Sequence, residues 1–140
     1  MAIDLDQPTA SRVPGANPRL WWSVVMSLLV LAIFAQAVFA GAMLSGLDWA
    51  AKAHAANGFI VVAAAFAASL VAIATLRRTK NGLKFGLTLL ALAAAVFVQF
   101  ALGRMAAKGA NLMWVHVPLG VALVALAGRA AAGARRLGDT

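Results

Sequence analysis

Four stretches of the chain carry no charged residue: between Arg19 and Asp48, between Lys52 and Arg77, between Lys84 and Arg104, and between Lys108 and Arg129. The shortest, 85–103, spans 19 residues. At about 1.5 Å of rise per helical residue, that length crosses a hydrocarbon core of about 30 Å. Four transmembrane helices follow, at roughly 20–46, 52–76, 84–105 and 111–129. The composition agrees: 64% of the 140 residues are hydrophobic, 11% are charged, and the mean hydropathy is +0.90. A soluble domain of this length does not reach such values.

Leu, Ala, Val and Phe fill these segments, and the alternating in–out pattern of a membrane barrel is missing, so the expected fold is an all-α membrane protein. Short connections make successive helices antiparallel neighbours. They predict an up-down-up-down four-helix bundle with the second and fourth helices across a diagonal. Residues 1–19, with three prolines and two aspartates, read as a cytoplasmic tail without a fold of its own. Residues 20–129 form the membrane domain, and 130–140 a basic cytoplasmic tail. The AQA triplet at 35–37 loosely resembles a signal-peptide cleavage site, but the apolar run continues past it and is kept as a helix.

The net charge of +8 orients the bundle and does not imply nucleic acid. Arg12, Arg19, Arg77, Arg78, Lys80, Lys84, Arg129, Arg135 and Arg136 fall on the side shared by both termini and the middle loop. Lys52, Arg104 and Lys108 fall on the other. This asymmetry is the positive-inside pattern, and it predicts both termini in the cytoplasm of a bacterial inner membrane. The run RRTK at 77–80 reads as a contact for anionic lipid. With no cysteine, disulfides, thiolate metal sites, iron–sulfur clusters and covalent haem attachment drop out.

The two halves of the chain look alike, as a duplicated helical hairpin would. The first holds QAVFAG at 36–41, then His54 and Gly58; the second holds QFALG at 99–103, then His116 and Gly120. In each, a glutamine is followed by a glycine four or five residues later, a short loop, and HxxxG opening the returning helix. The repeat uses both histidines of the protein. Each begins a helix on the outer, periplasmic side, so the two lie at matched depth on diagonal helices. Two neutral imidazoles so opposed are what bis-histidine ligation of a haem iron requires, with His54 and His116 as the metal ligands.

The neighbouring residues have a cofactor reading and a structural one. Gly58 and Gly120 sit one turn deeper on the same faces, where a missing Cβ lets a macrocycle approach, or where helices pack closely. Pro118 falls in the first turns of its helix, where a lost N–H costs least. Arg104, with Lys52 and Lys108, lies at the level of emerging propionates and suits pairing with them. Gln36 and Gln99 serve either as partners of an imidazole N–H or as interhelical hydrogen-bond glue. Trp49, Trp114, Trp21 and Trp22 read as interfacial belt residues, and Met26, Met43, Met105 and Met113 first as packing, with Met105 or Met113 the alternative as a substitute axial ligand.

This pattern of glutamine, glycine, short outer loop and helix-opening histidine, over about residues 30–128, resembles one four-helix half of the heme A synthase family. It is also similar to a family of small four-helix bacterial membrane proteins of unknown function. The first resemblance implies a b-type haem held by His54 and His116 on the outer side. That synthase has two bundles and an acidic residue in its catalytic half; this chain has one bundle, no glutamate, and aspartates only at 4, 6, 48 and 139. The chain is therefore read as a carrier or sensor of electrons, with one haem b, a membrane or periplasmic redox partner, and a surface compatible with an oligomer. No general base or nucleophile stands out that would make it an enzyme. Two other classes fit the same sequence: a cofactor-free accessory subunit of a larger membrane complex, and a pigment-binding protein with each histidine on a separate chlorophyll-type magnesium.

Overall fold

A computed structural model describes residues 17–137. Helix α1 runs Pro18–Leu44, α2 Ala50–Leu76, α3 Gly82–Ala106 and α4 Met113–Ala134. No strand occurs among the described residues. Each helix is long and apolar enough to cross a membrane, and large apolar side chains such as Leu28, Phe34, Phe59, Leu70 and Val121 point outward. This is a multi-pass membrane protein: an outward apolar surface on all sides is stable only in lipid.

Each end of a span is set by local chemistry. Asn17 caps α1 by accepting the backbone N–H of Arg19 at 3.1 Å, and Pro18 occupies the first turn, where its missing N–H costs nothing. At the far end, Gly46 takes φ 80°, and the Leu47 N–H returns to the Ala42 carbonyl. The second hairpin repeats this closure: Gly109 takes φ 98°, and the Ala110 N–H returns to Met105. Both are left-handed glycine terminations that satisfy carbonyls a helix end leaves open. Asn81, at φ 61°, turns the chain between α2 and α3.

The helices form a closed square in which α1 packs on α2, α2 on α3, α3 on α4, and α4 back on α1; the diagonal pairs α1/α3 and α2/α4 do not pack backbone to backbone. The α2–α3 seam is the tightest. A Cβ at Gly86 would lie 2.7 Å from Ile73 Cγ1 and 3.1 Å from the Ile73 backbone nitrogen, so only glycine permits this approach.

The core is concentrated toward the end where α1 begins and α4 finishes, termed the terminal end. Trp22, Met26, Phe85, Leu89, Ala127 and Ala130 are buried there. Trp22 and Phe85 meet edge to face at 5.5 Å and bridge the α1–α3 diagonal.

Helix boundaries differ from the sequence expectation most at α4. It begins at Met113 and continues to Ala134, five residues beyond 129, with Ala130, Ala134 and Leu137 buried. Small apolar residues on the inward face carry the helix past Arg129, which lies exposed. The segment read as a tail from 130 is therefore partly bundle. The tail expected at 1–19 lies outside the described residues up to position 16; Pro18 and Arg19 belong to α1. Pro118 is the sixth residue of α4, beyond the first turn, so its missing N–H is a lost helical bond to the Trp114 carbonyl and not a free omission.

Candidate functional site: a histidine pair across the bundle

Opposite the terminal end, α2 and α4 each enter the bundle with a histidine near the start. His54 and His116 face one another across the α2–α4 diagonal, ring centres 6.4 Å apart and planes at 70°. Both are half-buried. A metal bonded to two imidazoles at about 2 Å per bond holds ring centres about 6 Å apart, so the observed separation is of the right order for one shared ion.

The hydrogen bonds decide which ring nitrogen is available. His54 Nδ1 lies 3.2 Å from the Gln36 main-chain oxygen, and His116 Nδ1 lies 3.1 Å from the Gln99 main-chain oxygen. A carbonyl only accepts, so each Nδ1 carries the proton and donates it. The lone pair of each neutral ring is thereby left on Nε2. Metal-binding histidines are prepared in this way, with the far nitrogen tied to a carbonyl that holds the ring. His116 Nε2 accepts only a long contact, 3.5 Å, from the Gln99 side-chain amide.

The two glutamines occupy equivalent places. Gln36 Nε2 lies where a Cβ on Gly58 would reach it at 2.7 Å, and Gln99 Nε2 lies 3.0 Å from the corresponding point on Gly120. Gln99 Nε2 also donates to the His116 carbonyl at 2.8 Å. Both amide oxygens, Gln36 Oε1 and Gln99 Oε1, are buried with no hydrogen-bond partner. Interhelical glue thus accounts for one end of the Gln99 amide and leaves both oxygens unsatisfied, a costly state within a membrane. The glycines that the sequence offered as clearance for a macrocycle are here the seats of these amides.

Three residues contribute that the sequence reading assigned no role. Gly103 lies against the His116 ring, its virtual Cβ 2.8 Å from Cε1. The counterpart Gly41 faces open space, so the two half-sites differ. Phe100 closes over Gly58, with a ring carbon 3.1 Å from its virtual Cβ. Asn57 donates to the Ala32 carbonyl at 2.8 Å, tying α2 to α1 one turn below His54. The signal for Asn57 was present: a polar residue three positions after His54 shares its helical face. Gly103 is likewise four residues after Gln99, on one face of α3. Arg104, Lys52 and Lys108 are exposed around this end of the bundle.

Chemically, the site offers two imidazole donors and no third. No group of three or more His, Asp, Glu or Cys residues able to hold a metal occurs among the described residues. A structural zinc site takes four protein ligands and a catalytic one three, more than the two imidazoles supply. Compared with protein-family models, with curated proteins and with solved structures, the chain matches none.

Proposed function

We propose that this protein is a small b-type membrane cytochrome holding one haem between His54 and His116 near one face of the bilayer. The observation that carries the reading is the matched pair of rings, 6.4 Å apart across the diagonal, each with Nδ1 committed to a glutamine carbonyl and Nε2 left as a lone-pair donor. Bound there, the haem would supply a one-electron couple. The protein's own part is to present two donors at fixed depth and orientation and to keep bulk water away with the surrounding apolar helices. Gly58 and Gly120 would give a flat ring room against α2 and α4 if the two glutamine amides, and over Gly58 the Phe100 ring, turned off them, and that movement would also free Gln36 Oε1 and Gln99 Oε1 from burial without a partner. Exposed Arg104, Lys52 and Lys108 suit propionate pairing or the approach of an acidic redox partner.

The charge asymmetry supports a reading in which both termini lie in the cytoplasm of a bacterial inner membrane and the histidines lie toward the periplasm. Alkaline phosphatase fused after Thr140 should accordingly be inactive; strong activity inverts the orientation.

The decisive measurement is the reduced-minus-oxidised spectrum of protein purified with haem supplied. Wild type should show sharp low-spin bands. His54→Ala or His116→Ala should lose them and retain haem weakly, and the double variant should bind none specifically, while all remain helical and inserted. A colourless wild type, or single variants with unchanged low-spin bands, sinks the proposal in favour of a cofactor-free accessory subunit.

A further inference from the structure

The seam between α1 and α4, the one pair of adjacent helices not joined by a loop, carries a surface groove of about 370 Å³. Ser27, Val30 and Leu31 form one wall, Gly128 and Ala132 the other, and Arg135 closes its terminal end. The volume falls within the range of small-ligand sites. A Cβ on Gly128 would meet nothing within 4 Å, so the groove is open at its middle and not filled by a neighbouring side chain. The Ser27 hydroxyl already donates to the Ser23 carbonyl at 2.8 Å, which leaves the walls without a free donor. One charge meets this apolar trough. Side chains on a helix lean toward its N-terminus, so Arg135, at the end of α4, leans back along the groove toward the bilayer. The only acidic residue among the described residues is Asp48, in the loop at the opposite end.

We propose that this groove binds an anionic membrane lipid, with one acyl chain laid along Gly128 between α1 and α4 and the headgroup phosphate on the Arg135 guanidinium. Charge complementarity selects this occupant. A guanidinium at the edge of an apolar slab attracts an anion, its forked donors match a phosphate, and the lipid supplies phosphate and chain in one molecule. A helix of a second copy would fill the trough but bring no described anion to Arg135.

The test is lipid retention by the full-length protein in detergent, measured by native mass spectrometry and by the rise in thermal unfolding temperature on adding lipid. Phosphatidylglycerol should be retained and raise the temperature; phosphatidylcholine of the same chain length and soluble glycerol phosphate should do neither. Arg135→Gln should weaken phosphatidylglycerol retention about fivefold, while Arg136→Gln, next along the chain, should not. Gly128→Leu should abolish retention and leave the lipid-free unfolding temperature unchanged, because it fills open space. Equal retention of both lipids, equal losses for the two arginine variants, or a dimer that Gly128→Leu disperses would each overturn the proposal, the last by identifying a second copy as the occupant. None of these readouts depends on haem.

Discussion

At the terminal end of the bundle, Trp22 and Phe85 close the α1–α3 diagonal ring against ring at 5.5 Å; at the opposite end, His54 and His116 close the α2–α4 diagonal at 6.4 Å. The same square of helices is thus bridged twice, along different diagonals and with different chemistry. Around the aromatic pair, Met26 and Leu89 are fully buried and no buried polar side chain lacks a partner. Around the imidazole pair, the two histidines and the two glutamines are only half-buried, and both glutamine oxygens are orphaned. One end is packed for stability, and the other carries unspent polar capacity. That capacity costs free energy in lipid, and its symmetric occurrence in both hairpins supports the proposal that this end is the functional one.

The contrast breaks most sharply at Leu89. Replacing it with Ala at the terminal end should cost about 2–5 kcal/mol of unfolding free energy, by the lost burial and the cavity left, and leave any haem spectrum unchanged. His54→Ala should do the reverse, removing the low-spin bands while costing only about 0.6 kcal/mol for its bond to Gln36. Reversible denaturation in mixed micelles alongside spectra reads both. Comparable losses of stability at the two sites would show that the histidine end is structural.

Glycines give a finer version. Gly86→Leu drives a side chain into the Ile73 backbone and should cost about 1–3 kcal/mol, with haem per folded molecule unaffected. Gly120→Leu meets mainly the flexible end of Gln99, so it should cost less stability than Gly86→Leu while lowering haem occupancy; Gly58→Leu meets the Phe100 ring as well as the Gln36 amide, so it should cost more stability than Gly120→Leu and lower haem occupancy too. If all three lose stability alike, Gly58 and Gly120 are packing glycines.

The smallest effect falls on Gln99. Gln99→Ala removes the amide bond to the His116 carbonyl, worth about 0.6 kcal/mol within a membrane, yet keeps the main-chain oxygen that holds His116 Nδ1. The low-spin spectrum should therefore survive. Its loss would mean that the side chain, not the backbone carbonyl, sets the imidazole.

The two histidines, their matched depth and their diagonal placement were legible because the repeat puts identical letters at near-identical spacing: 18 residues from Gln36 to His54 and 17 from Gln99 to His116. Their hydrogen-bond partners were not, since the acceptors are main-chain carbonyls that every residue possesses. The boundary of α4 was missed for a related reason. An arginine ends an apolar run on paper, but helix propagation past Arg129 depends on Ala130 and Ala134 finding a neighbour to pack against.

The sequence alone determined the solvent, the number of spans and the antiparallel order, because a hydrocarbon phase obliges every backbone polar group to bond within its own helix, and short loops then leave little freedom of topology. Only the tertiary structure decided what each glycine is for. Gly86 admits the Ile73 backbone, Gly58 and Gly120 admit glutamine amides, Gly103 admits the His116 ring, and Gly128 admits nothing from the protein. A glycine's role is defined by what fills the place of its missing Cβ, and that occupant comes from another helix, whose side chains no local reading of sequence can place.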